Sequence, residues 1–156
     1  MYILRHLIAF MLTGIMFIPV MGAQEIIPDD AGMKVGRLEN GLTYYLRNNT
    51  ENKGCADFYI IHNVGALQED DNQNGLAHFL EHMAFNGTEN YPDKTILNFL
   101  EKDGVRFGYN VNAYTSRYET VYNISEVPLV RNTFVDSVLL VLHDWSCAIS
   151  CEEDAL

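Results

Sequence analysis

The stretch His78-Phe79-Leu80-Glu81-His82 constrains this chain more than any other. Read as a helix, residues four apart lie on one face, so His78 and His82 can aim their imidazoles at a single metal ion. Glu81 follows His78 by three positions and adjoins His82. Its carboxylate can reach a water held at such a metal without itself being a ligand. Two neutral nitrogen donors beside a carboxylate are the equipment of metal-assisted amide hydrolysis. The surrounding pattern predicts a helix. At about 100° per residue, Leu76, Phe79, Leu80, Met83 and Ala84 gather on one side, expected to face a core. His78, Glu81, His82 and Phe85 gather on the other side, expected to line a cleft. Asn74 is the expected N-cap, and Asn86-Gly87 closes the helix.

The N-terminus reads as a leader rather than part of the fold. Arg5 and His6 precede an apolar run from Leu7 to Val20, followed by Met21-Gly22-Ala23. That pattern describes a secretory signal peptide over residues 1–23, with an exported domain over 24–156. The run contains Gly14 and Pro19 and falls short of the about 20 residues a spanning helix needs, so no stable membrane anchor is expected. Removing residues 1–23 takes Arg5 and no acid, leaving 9 basic against 21 acidic residues and a net charge of −12. Such an acidic chain is not built to bind nucleic acid or an anionic membrane. A periplasmic or secreted location is expected. Cys55, Cys147 and Cys151 form no disulfide framework.

In chain order, Val35–Glu39, Asn40-Gly41 and Leu42–Arg47 predict a β-hairpin. Cys55–Val64 is rich in β-branched and aromatic residues and predicts a strand. Thr95–Lys102 predicts a second helix, and Val111–Ile124 one or two strands broken around Ser116-Arg117-Tyr118-Glu119. Pro128 opens a third helix over about Leu129–Ile149. The order predicts an α+β fold, a mostly antiparallel sheet with helices packed on one face. His62 and His143 lack an evident ligand partner and are read as packed or surface residues.

Gly75 to Thr88 with Tyr91-Pro92, the Asn40-Gly41-Leu42 hairpin, Gly65-Ala66-Leu67 and Asn112-Ala113-Tyr114-Thr115 together resemble the insulinase/pitrilysin family of zinc metallopeptidases. That family carries the inverted motif H-x-x-E-H and includes the mitochondrial processing peptidase. The resemblance covers about Val35 to Asp144. It implies one Zn2+ held by His78 and His82, with Glu81 as the base in peptide hydrolysis. It also implies that a peptide substrate adds as a strand beside Asn112, Ala113 and Thr115. The family's third zinc ligand is a glutamate on a later helix, so the chain reads as truncated before it. Glu152 and Glu153 match no ligand position. Family members are longer, and a second homologous domain or chain is expected to complete the chamber.

Two other readings stand beside the endopeptidase. One is a non-catalytic peptide-binding or relic domain, because the third ligand is missing. The other is a metal-dependent lyase. S-ribosylhomocysteine lyase also carries H-x-x-E-H and takes a cysteine as third ligand, a part that Cys147 or Cys151 would play here.

Overall fold

The computed structural model describes residues 30–151, in two units divided between Asn48 and Asn49. The leader read over residues 1–23, and Glu152 and Glu153, lie outside the described residues.

The first unit is the expected hairpin. Strand β1 (Met33–Arg37) pairs antiparallel with β2 (Thr43–Arg47), from Met33 opposite Arg47 to Arg37 opposite Thr43. The Leu38 N–H donates to the Leu42 carbonyl at 2.8 Å, closing a three-residue loop over Glu39, Asn40 and Gly41. Gly41 has φ of 92°, the left-handed conformation such a loop needs at its last position.

The second unit carries the motif. Strands β3 (Cys55–His62), β4 (Val111–Thr115) and β5 (Thr120–Pro128) form an antiparallel sheet in the order β3-β5-β4. Around it lie helices α1 (Leu76–Met83), α2 (Thr95–Lys102) and α3 (Asn132–Cys147). Alternation along the strands sends Phe58, Ile60, Val111, Ala113, Tyr122 and Ile124 to one face. There they meet Ile96 and Leu100 of α2 and Phe134, Val138, Val141 and Trp145 of α3. Tyr59, Ile61 and Tyr114 on the opposite face are exposed. The architecture is thus α+β with helices on one face of an antiparallel sheet.

Two expectations shift. The third helix begins at Asn132, later than Leu129, because Pro128 completes β5 and the Leu129 N–H is taken by the Gly54 carbonyl. It ends at Cys147 because the chain beyond pairs with the segment after α1. Glu89 N–H donates to the Ala148 carbonyl, Ser150 N–H to the Gly87 carbonyl, and Thr88 bridges Ile149.

The faces of α1 differ more. Leu76, Phe79 and Leu80 are exposed, while Met83, Ala84 and Glu81 are buried. Apolar periodicity assigned the inward stripe to the leucines. A short hydrogen bond from the sheet to Glu81 instead turns that edge of the helix inward.

Candidate metal centre

Helix α1 is held at both ends. Asn74 does not cap it; Gly75 does, with φ of 92°, a backbone conformation an L side chain resists. The orphan amides are met from farther away. The Glu69 carboxylate accepts the Gly75 N–H and the Ala77 N–H, each at 2.8 Å. The Ala77 and then the Gly75 amide hold the Glu69 carboxyl below its usual range. A negative charge also suits a helix N-terminus. Just before this, Gly65 lies against the β4–β5 turn so closely that a Cβ would sit 2.3 Å from the Ser116 carbonyl oxygen. That approach lets Ala66 N–H and Leu67 N–H donate to the Ser116 and Arg117 carbonyls at 3.1 and 2.9 Å.

At the other end, Trp145 Nε1–H donates to the Ala84 carbonyl at 3.0 Å, and its indole stacks on Tyr122 with centroids 5.3 Å apart. The preceding residue, Asp144, is fully buried. It accepts the Thr88 hydroxyl at 2.7 Å, the Asn90 N–H at 3.0 Å and the Asn90 amide at 2.8 Å. Burial alone would raise the Asp144 carboxyl; these bonds, with His143, outweigh it and hold the carboxyl below its usual value. Together these contacts fix the loop after α1 to α3.

Between these anchors the motif is laid out as a donor pair and a neighbouring carboxylate. His78 Nε2 and His82 Nε2 lie 3.1 Å apart on the exposed face of α1. A tetrahedral zinc with bonds of about 2.0–2.1 Å sets two nitrogens about 3.3 Å apart, so the pair fits two corners of such a site. Among the described residues no third His, Cys, Asp or Glu joins them. Neither Cys147 nor Cys151 groups with the pair among the described residues. Cys147 belongs instead to α3, where its sulfur lies 3.6 Å from His143 Nε2. All three cysteines are free thiols.

Glu81 is 8% exposed, and its Oε2 accepts the Thr115 hydroxyl at 2.6 Å. Its Oε1 has no partner among the described residues. The Tyr122 phenol, inward on β5, is pushed up to about 12 by burial and then by the Glu81 charge, so it stays neutral.

Thr115 ends β4, and β4 is an edge. Its only strand partner among the described residues is β5, and a bridge to Phe107 covers Val111 on the other side. Ser116 N–H donates to the Glu119 carbonyl across the turn, so alternation points the backbone of Tyr114 and Asn112 toward β5. The backbone groups of Val111, Ala113 and Thr115 then face the open side. Val111 illustrates this: its N–H donates to Arg106 and its carbonyl accepts Gly108 N–H, both in the preceding loop. Among the described residues Ala113 and Thr115 are left with free edge groups, while the exposed Asn112 amide donates to the Tyr109 carbonyl at 3.4 Å.

His62 lies at the end of β3, with Nε2 buried and without a partner among the described residues, and its pKa is lowered chiefly by burial. It borders a hollow of about 350 Å³ also lined by Leu80, Tyr122, Trp145 and Cys147. Sequence reading missed the Glu69 cap, the Thr115–Glu81 bond and the Asp144 and Trp145 anchors. None has a spacing signature: the Thr115, Asp144 and Trp145 contacts join segments far apart in the chain, and Glu69 reaches α1 from outside any helix-cap spacing.

The family described as Insulinase (Peptidase family M16) matches residues 44–156. "Probable zinc protease PqqL" of Escherichia coli (strain K12) is 36% identical over 155 residues, covering 98% of this chain and 16% of that protein. The mitochondrial-processing peptidase subunit beta of Saccharomyces cerevisiae is 40% identical over 91 residues, 58% of this chain and 19% of that one. The crystal structure of the first half of the periplasmic protease PqqL from Escherichia coli superposes with a TM-score of 0.79 at 38% identity. It covers 83% of this chain and 27% of that one. The chain thus spans about a sixth of the length of the zinc protease it matches over nearly its whole extent. With H-x-x-E-H on a helix against an edge strand, and with these relatives, the chain belongs to the insulinase family, peptidase family M16.

Proposed function

We propose that this chain is the motif-bearing N-terminal part of an exported zinc-dependent endopeptidase. The observation that carries the reading is an imidazole pair and a fixed carboxylate on one helix. The two imidazole nitrogens stand 3.1 Å apart, and Glu81, next to His82 in the chain, accepts a hydrogen bond from Thr115 of an edge strand.

In this reading His78 and His82 hold the zinc, and further donors come from sequence outside the described residues. Zinc, when bound, supplies Lewis acidity toward the peptide carbonyl and acidity to water. The Thr115 hydroxyl occupies Glu81 Oε2 and leaves Oε1 to take a proton from the attacking water. Glu81 then returns that proton to the leaving amine. A peptide substrate lies along β4, its backbone paired with the free N–H and C=O groups of Ala113 and Thr115. Asn112, exposed on the same strand, meets its flank. Tyr122 remains neutral beneath and adds no second charge to the carboxylate.

The exported location rests on the leader pattern of residues 1–23 and on the periplasmic relative. Residues 24–156 are then part of a peptidase domain. The exposed Leu76, Phe79 and Leu80 support a further homologous domain or chain packing over this region.

Glu81→Gln in the full-length protein tests the reading. Zinc content should be retained, while peptide hydrolysis falls by about 10²-fold or more. A purely peptide-binding or relic domain would show no hydrolysis to lose, and peptide affinity unchanged by the substitution.

A further inference from the structure

A second group of metal-ligating side chains lies on α3, away from the motif. His143 and Cys147 are four residues apart and both exposed, so both are open to solvent on one helix face. His143 Nε2 and Cys147 Sγ are 3.6 Å apart. A tetrahedral metal with a nitrogen bond of about 2.0–2.1 Å and a sulfur bond of about 2.3 Å sets those two atoms about 3.5–3.6 Å apart. The other ring nitrogen is engaged as well: His143 Nδ1 faces the buried Asp144 carboxylate at 3.4 Å. A carboxylate that accepts Nδ1–H fixes the tautomer with a lone pair on Nε2, the outer arrangement common to metal-bound histidines. Both side chains are exposed, so waters can complete the coordination from solvent.

From these observations we infer that His143 and Cys147 form a second, labile metal site for a zinc-class divalent cation, oriented by Asp144. One imidazole and one thiolate select borderline and soft cations over calcium or magnesium. On binding, the thiol proton is released to solvent and the metal takes the thiolate. With two protein ligands the site exchanges its metal readily. Its place on α3 beside Asp144 and Trp145 lets it tighten the helix that anchors α1. The inference is independent of the peptidase reading, since it uses none of His78, Glu81 or His82.

Cobalt(II) is the probe, titrated under reducing conditions into full-length protein carrying His78→Ala and His82→Ala to silence the first site. Cys55→Ser and Cys151→Ser leave Cys147 as the sole thiol among the residues of this chain. A near-ultraviolet thiolate-to-cobalt band saturating at one equivalent is expected. Cys147→Ser should abolish it, and His143→Ala should weaken binding by about 10-fold or more. The inference is overturned if no such band forms, or if His143→Ala leaves the titration unchanged.

Discussion

Thr115 and Glu81 show how one side-chain pair sets the chemistry available to α1. A hydroxyl donating to a buried carboxylate is a charge-assisted bond of about 1.5–3 kcal/mol. If Thr115 positions Glu81, Thr115→Val should lower kcat of the full-length enzyme by about 10–100-fold with little change in zinc content. Serine at the same position should restore most of it; an unchanged kcat in Thr115→Val would refute the positioning role. Gly65 makes a second residue-scale prediction. A Cβ there meets backbone at 2.3 Å, so Gly65→Ala should cost about 1–3 kcal/mol of stability, read by denaturant unfolding. Residues of this kind are illegible in sequence. His78, Glu81 and His82 announce themselves by spacing, whereas Glu69 caps a helix from eight positions before Ala77 and looks like any acid in a polar turn. His143 was passed over although Cys147 stands four positions on, because the spacing alone does not mark a cysteine as its partner.

Elements were more legible than their orientation. The second helix appears over the predicted Thr95–Lys102, and the Val111–Ile124 stretch folds back at Ser116–Glu119 as two strands. What periodicity misread was the rotation of α1, where the exposed Leu76, Phe79 and Leu80 look like core residues and the buried Glu81 looks like surface. Hydrophobic pattern records which residues want cover, not which element supplies it. The α1–α3 junction yields an element-scale prediction. Asp144→Ala strands the Thr88 hydroxyl and two Asn90 donors, so it should destabilise the second unit by about 1–3 kcal/mol. The pH dependence follows from the lowered Asp144 carboxyl. Its contribution is complete above the unfolded value of about 3.9 and is lost as pH falls through the lower folded value. Wild type and Asp144→Ala should therefore converge in stability in acid below that range; a gap that persists unchanged there would contradict this assignment.

At the scale of the molecule, this stretch supplies a helix, an edge strand and, in the proposed reading, two of the donors a catalytic zinc needs. A catalytic zinc takes three protein ligands and an open position. No third ligand joins the pair among the described residues, and the chain spans about a sixth of the length of the Escherichia coli relative. The central claim is that His78 and His82 hold zinc. Zinc K-edge absorption of the full-length protein at one equivalent of metal, compared between wild type and His78→Ala/His82→Ala, tests it most directly. The account predicts imidazole scattering from two histidines at about 2.0–2.1 Å in wild type, lost in the double variant. An imidazole signal that survives the double substitution unchanged would place the zinc elsewhere and contradict the account.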